Sequence, residues 1–281
     1  KVKHTMSQAF EWKSSSDGLV GVNGCQIEYC CWGPKPGDAP TVVLLHEGLG
    51  SAKLWRDFPE KLAEATGWGV FSWSRTGHGQ SDIADLPRPI NFMTIEATQV
   101  LPDLLDAIEF QYGVLLGHSD GATISAIYIG SVEDHRVRGL ILMSPHFFTE
   151  SMGLEEITRS RIAFTEGDLR ERMSRHHKNP DNTFNGWCDT WLNPGFKTWD
   201  VTEVIDYMRI PVLAIQGRND QYGTLAQVRV VEDRSYAPVD IEVIEECRHS
   251  PHLDQPEKTL SLVTEYLERL QRIETDGLPE L

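Results

Sequence analysis

Short apolar runs recur along the chain, and stretches of helical character separate most of them. The runs are Thr41-Val42-Val43-Leu44-Leu45, Gly69–Trp73, Gly113–Leu116, Leu140–Met143, Val212–Ile215 and Ile241–Ile244. Strands buried on both faces of a sheet read this way. The helical stretches, among them 55–66, 93–110, 122–129 and 225–235, are long enough to cross from one parallel strand to the next. The alternation predicts an α/β fold with a mostly parallel, doubly wound sheet. A hairpin precedes it, with Asn23-Gly24 between Leu19–Val22 and Cys25–Tyr29. The rhythm breaks once, between Met143 and Pro211. An excursion of roughly 65 residues with helical and loop character is better read as an inserted element than as a loose loop. It predicts a helical cap after the sixth strand, dividing the chain into a core of 6–145 and 209–281 and a cap of 146–208. The last helical stretch, 256–272, places Leu260, Val263, Tyr266, Leu267 and Leu270 on one face.

Composition excludes partners more than it names them. A chain of 281 residues can bury a core without a metal or disulfide staple. Lys plus Arg is 26 and Asp plus Glu is 42, a net charge of −16. That balance disfavours nucleic acid and anionic membranes as partners and leaves a small-molecule substrate. No apolar run is long enough to span a bilayer. Five cysteines, none at C-x-x-C spacing, read as reduced thiols in the cytoplasm. His176–His177, the pair weighed for zinc, reads as a solvated helix end, so neither metal nor cofactor is expected. The polar stretch Lys1–Thr5 lacks the apolar core of a signal peptide, and Met6 is expected to be the natural start.

Gly117-His118-Ser119-Asp120-Gly121 fits G-x-S-x-G, and its surroundings suit that motif. Val114-Leu115-Leu116 leads in as a strand, and Ala122-Thr123-Ile124-Ser125-Ala126 leads out as a helix. A turn this sharp strains the serine backbone and lifts the hydroxyl above the sheet. A serine needs a base to take its proton and an acid to orient that base. Asp220 and His249 follow in the required order, each just past the C-terminal end of a predicted strand, where open α/β sheets place their sites. Asp233 and Asp240 are rivals for the acid, but they fall within a helix and before a strand. His252 competes with His249, which lies nearer its strand end. For the oxyanion hole, the N–H of Asp120 and that of Gly48, in the loop after Leu45, are the expected donors. Glycine at 48 is expected for its backbone freedom.

Together these residues resemble the α/β-hydrolase superfamily, particularly its cap-bearing bacterial serine esterases. The resemblance runs from about Gly18 to Leu270. Leu44-Leu45-His46 to Gly48 is similar to the family's His-Gly oxyanion loop, and Gly77-His78-Gly79-Gln80-Ser81 to its G-x-G-x-S turn. Gly217–Asp220 is similar to its acid turn, and Arg248-His249 through Gln255-Pro256-Glu257 to its base segment. Three positions depart from the pattern. Glu47 replaces a glycine, Ser74 stands where an aspartate is common, and Arg248 replaces the glycine before the base. A carboxylate at Glu47 opposes a developing oxyanion unless paired, and His46 or Arg75 is the expected partner.

Dehalogenases and epoxide hydrolases of this fold carry aspartate at the elbow, so Ser119 implies acyl transfer. The leading expectation is a hydrolase of small apolar or aromatic carboxylic esters. Lactones, thioesters and the carbon–carbon bonds of ring-cleavage products are alternatives, and a ligand receptor or a protein-contact scaffold represents another class. Expected pocket residues are His46, Glu47, His146, Phe147, Trp187, Trp191 and His252. Trp187, Trp191 and Trp199 are spaced for one helical face, serving either core packing or a pocket wall. Arg159, Arg161, Arg170, Arg172 and Arg175 read as a solvated face, with a carboxylate clamp as the alternative.

Overall fold

The computed structural model describes residues 10–276, so the expected start at Met6 lies outside the described residues. Eight strands form one sheet: β1 (Ser16–Val22), β2 (Cys25–Trp32), β3 (Thr41–Leu45), β4 (Gly69–Trp73), β5 (Gly113–His118), β6 (Val137–Met143), β7 (Val212–Gly217) and β8 (Val239–Ile244). Their spatial order is β1-β2-β4-β3-β5-β6-β7-β8. β2 pairs antiparallel with β1 and β4, and every later pairing is parallel. Helices α1 (Phe58–Thr66), α2 (Phe92–Ile95), α3 (Leu101–Ala107) and α4 (Asp120–Ser131) precede the cap. The cap holds α5 (Ser151–Thr165), α6 (Leu169–Ser174) and α7 (Pro180–Trp191). The chain closes with α8 (Ala226–Arg234), α9 (Pro251–Asp254) and α10 (Pro256–Asp276). The cap leaves the sheet after β6, as its sequence position predicts. Among the described residues no helix is long and apolar enough to cross a membrane.

Alternation along the central strands splits the core into two apolar layers. Val43, Leu45 and Leu115 enter one cluster with α3, α4 and the cap aromatics. Val42, Leu44, Val114 and Leu116 enter the other, with α1 and α10. The amphipathic stripe of α10 seats Val263, Tyr266, Leu267 and Leu270 on that second layer. Tyr266 satisfies its hydroxyl there by donating to the Pro211 carbonyl at 2.7 Å.

Two helices differ from their expected spans. The stretch expected as one helix over 93–110 is broken by a wider π turn over Glu96–Val100. The first helical stretch is broken at Arg56, whose φ of 56° ends the 3-10 turn Ala52–Trp55 before α1 begins. The tryptophans do not share one helix either. α7 ends at Trp191, and Trp199 follows the 3-10 turn Pro194–Thr198, where it stacks on Phe196. His177 is buried rather than solvated, although its neighbour His176 is exposed.

Candidate active site

Ser119 sits between β5 and α4 with φ 54° and ψ −119°, a left-handed conformation costly for any residue but glycine. The flanking glycines allow that turn. A Cβ on Gly117 would lie 2.3 Å from the Gly121 carbonyl oxygen, and one on Gly121 would lie 2.1 Å from the Leu45 carbonyl oxygen. The Ser119 N–H donates to the Met143 carbonyl at 2.8 Å, tying the elbow to β6.

His249 and Asp220 come together from the loops after β8 and β7. His249 Nδ1 donates to both Asp220 oxygens at 2.9 Å. A carboxylate can only accept there, so the proton lies on Nδ1 and the Nε2 lone pair is free to act as a base. Asp220 also accepts from Gln216 Nε2 and from the Tyr222 N–H, both at 2.8 Å. Burial alone would raise its pKa, but His249 and the Tyr222 N–H bring it below the usual carboxylate value. His118 Nε2 donates to the His249 carbonyl at 2.7 Å, steadying the loop. Ser119 and His249 line one cavity without a hydrogen bond between them, and such contacts often tighten only when substrate is bound. The rival acids lie elsewhere: Asp240 pairs with Arg269, and Asp233 is exposed on α8.

The loop after β3 is gripped by its carbonyls. Arg75 donates to the carbonyls of His46 (2.6 Å) and Glu47 (3.0 Å). His78 Nε2 binds the Gly48 carbonyl, and His177 Nε2 the Leu49 carbonyl, each at 3.0 Å. Four successive carbonyls are therefore held, one of them by a histidine of the cap. Arg75 thus meets Glu47 at the backbone, not at the carboxylate as expected. The carboxylate instead accepts from the Leu49 N–H at 2.5 Å and lies beside Gly50, and the residue lines the cavity. The other two departures are also absorbed locally. Ser74 donates to the buried carboxylate of Glu28 at 2.7 Å, and the Arg248 side chain is exposed.

Gly48 requires glycine for a different reason from the one expected. Its φ is not left-handed. Instead the Trp187 indole covers it so closely that a Cβ would lie 2.2 Å from Nε1. Gly48→Ala must displace either the ring or the loop, and a shift of that size is expected to cost about a hundredfold in kcat/KM. Steady-state kinetics on any ester the chain turns over checks this, and an unchanged value would show that the ring yields freely.

The cavity above Ser119 has a volume of about 260 Å³. Of the expected pocket residues, Glu47, His146, Trp187 and Trp191 line it. His46, Phe147 and His252 do not. His46 is turned beneath the loop, accepting from the Arg75 N–H at 3.0 Å. Phe147 is fully buried in the core layer that holds the cap aromatics. His252 packs against Trp55, ring centroids 4.8 Å apart. Sequence reasoning missed Glu150, Leu154, Ile157, Gln221 and Tyr222, which also face the cavity. Tyr222, two residues past the acid, sits with its ring 4.6 Å from that of His249. The cap arginines turn outward. Arg159, Arg161, Arg170, Arg172 and Arg175 each pair with an acidic residue, and all five are exposed.

Buried neutral histidines give the fold an acid limit. Burial pushes His46, His78 and His118 well below their ordinary value, His177 to about 4, and His146 and His252 to about 3. Below about pH 6.5 the unfolded chain binds protons that these folded side chains refuse, so stability falls as pH falls. Glu47, Glu96 and Asp120, raised by burial, act in the opposite sense but are three against six. Each uncompensated histidine removes about 1.4 kcal/mol per pH unit. Denaturant titrations from pH 7 to pH 4 are expected to show a loss of several kcal/mol; a flat profile would contradict the neutral assignments.

A family model described as alpha/beta hydrolase fold matches residues 40–186. A non-heme chloroperoxidase from Streptomyces lividans is 27% identical over 232 residues, covering 71% of this chain and 80% of its own length. A proline iminopeptidase from Lactobacillus helveticus is 21% identical over 291 residues, covering 90% and 98%. Among solved structures, the esterase RhEst1 from Rhodococcus sp. ECU1013 superposes with a TM-score of 0.66 at 20% identity, covering 92% of this chain and all of that one. These proteins share a fold, and their activities differ.

Proposed function

The chain belongs to the alpha/beta hydrolase fold family, and on that premise we propose that it is a serine hydrolase cleaving small apolar or aromatic carboxylic esters through an acyl-enzyme. One observation carries this reading: a strained serine and a histidine oriented by a buried carboxylate open onto the same cavity. In this reading the two core segments carry the chemistry and the cap, 146–208, shapes the acyl pocket. Ser119 Oγ attacks the ester carbonyl while His249 Nε2 takes its proton. The tetrahedral oxyanion is received by the N–H groups of Gly48 and Asp120. Its collapse expels the alcohol, which leaves with the proton from His249. Water then attacks the acyl-enzyme, giving a proton to His249, and release of the carboxylic acid restores Ser119. One ester and one water become one acid and one alcohol.

The cavity walls argue against an anionic substrate. Among the described residues no Lys or Arg lines the cavity, while Glu47, Asp120 and Glu150 do. Carboxylated ring-cleavage products would enter without a counter-charge, which places carbon–carbon hydrolysis behind ester cleavage. A panel of 4-nitrophenyl esters, thioesters and lactones, with acid-quenched mass spectrometry, tests the proposal. Hydrolysis with an acyl group recovered on the Ser119 peptide is expected. Failure on every ester, thioester and lactone would contradict it.

A further inference from the structure

Asp120 follows the nucleophile and is only 2% exposed, and one of its carboxylate oxygens is left to the cavity. Trp191 Nε1 donates to Oδ1 at 3.2 Å, and Oδ2 has no hydrogen-bond partner among the described residues. A Cβ placed on Gly48 would lie 3.1 Å from Oδ2, which sets that oxygen beside the oxyanion loop at the cavity wall. Glu47 stands on the same loop, and among the described residues its carboxylate accepts from the Leu49 N–H alone. Glu150 completes the acidic lining, and neutral donors from Thr224 and Gln227 satisfy it.

Nearby cations do not balance these charges. Arg88 lies 3.5 Å from Glu96, and that buried pair is neutral in sum. Arg75 is left behind the loop, and its guanidinium is spent on backbone carbonyls. One guanidinium therefore faces two carboxylates, neither of which it contacts directly. Burial raises both carboxylates, so a positive charge beside them stabilises their ionised forms. The other walls suit one as well. Trp187, Trp191 and Tyr222 present aromatic rings, whose faces attract cations most strongly where water is excluded.

We propose that the acyl group of the substrate carries a positive charge, an amine or quaternary ammonium, seated between the Asp120 and Glu47 carboxylates and the cap tryptophans. This rests on the serine-hydrolase reading above and names its substrate class. Such a cation does two things. It supplies the charge the cavity lacks, and it offsets two carboxylates that otherwise oppose the tetrahedral oxyanion. The gain is expected in kcat as well as in KM.

Three 4-nitrophenyl esters of similar shape test this: 4-(trimethylammonio)butanoate, its neutral isostere 5,5-dimethylhexanoate, and the anionic monoester of glutarate. The cationic ester is expected to exceed the neutral one in kcat/KM by about tenfold or more, with the anionic ester slowest. Asp120→Asn keeps an acceptor for Trp191 and removes the charge. It is expected to collapse the cationic-to-neutral ratio toward one, as is Glu47→Gln, with thermal melts confirming that both variants fold. A ratio near one in the unaltered chain overturns the proposal while leaving the ester-hydrolase reading intact. So does a chain that labels at Ser119 with a fluorophosphonate probe yet turns over no cationic ester. Failure of both labelling and hydrolysis overturns the serine reading, and the proposal with it.

Discussion

Ser119→Ala is expected to abolish turnover, lowering kcat by about a millionfold, while leaving the fold in place. The size follows from the proposed role. Without Oγ there is no acyl-enzyme, and the surviving oxyanion donors can assist only direct attack by water. Stability should change little. The side chain makes no hydrogen bond among the described residues, and alanine relieves nothing that the strained backbone needs. A melting temperature that falls with the activity would point to misfolding, and an intact melt with residual activity above about one thousandth would move the nucleophile elsewhere.

Asp220→Asn is expected to be the next largest loss, about ten-thousandfold in kcat. Asparagine is nearly isosteric and can still accept from the Tyr222 N–H, so the loop should hold. What changes is the imidazole. Its Nδ1 now faces a side chain that can donate as well as accept, and the proton is no longer confined to Nδ1. The positive charge that develops on His249 also loses its buried counter-charge. Melting temperature and KM separate this from a packing defect: kcat should fall with both nearly unchanged, and a merely structural role would lower the melting temperature as well.

Much of this arrangement was legible in the chain, for physical reasons. Strands buried on both faces must be apolar throughout, so β3 to β7 announce themselves as runs, and the gap after β6 marks the cap. Ser119, Asp220 and His249 could be read because strand ends, glycine turns and reaction order constrain them jointly. The lining of the cavity could not. Trp187 covers Gly48 and Trp191 reaches Asp120, contacts between cap and core that no local pattern encodes. Phe147 and His252 illustrate the reverse. Each is near a site residue in sequence, and each turns into the core, because a strand end or a short helix can present either face. His177 departs from its expected solvated position for a similar reason. A histidine in a charged cap segment looks solvated until the loop carbonyl of Leu49, far away in sequence, supplies its partner.

The acid lining changes what the net charge means. A balance of −16 is for the most part a matter of solvated helices and loops. Glu47 and Asp120 are exceptions, because they put negative charge where the reaction would generate more of it. On the proposed reading a neutral apolar ester is turned over, and one that also brings its own cation is turned over faster.

The central claim is that Ser119 is a nucleophile activated by His249. Labelling with a tagged fluorophosphonate probe, followed by peptide mass spectrometry, tests it most directly. The account predicts a single adduct on the peptide containing Ser119, fast in the unaltered chain, absent in Ser119→Ala and slowed by orders of magnitude in His249→Ala but not in His252→Ala. An adduct on another serine, or labelling of Ser119 that is indifferent to His249, would contradict it.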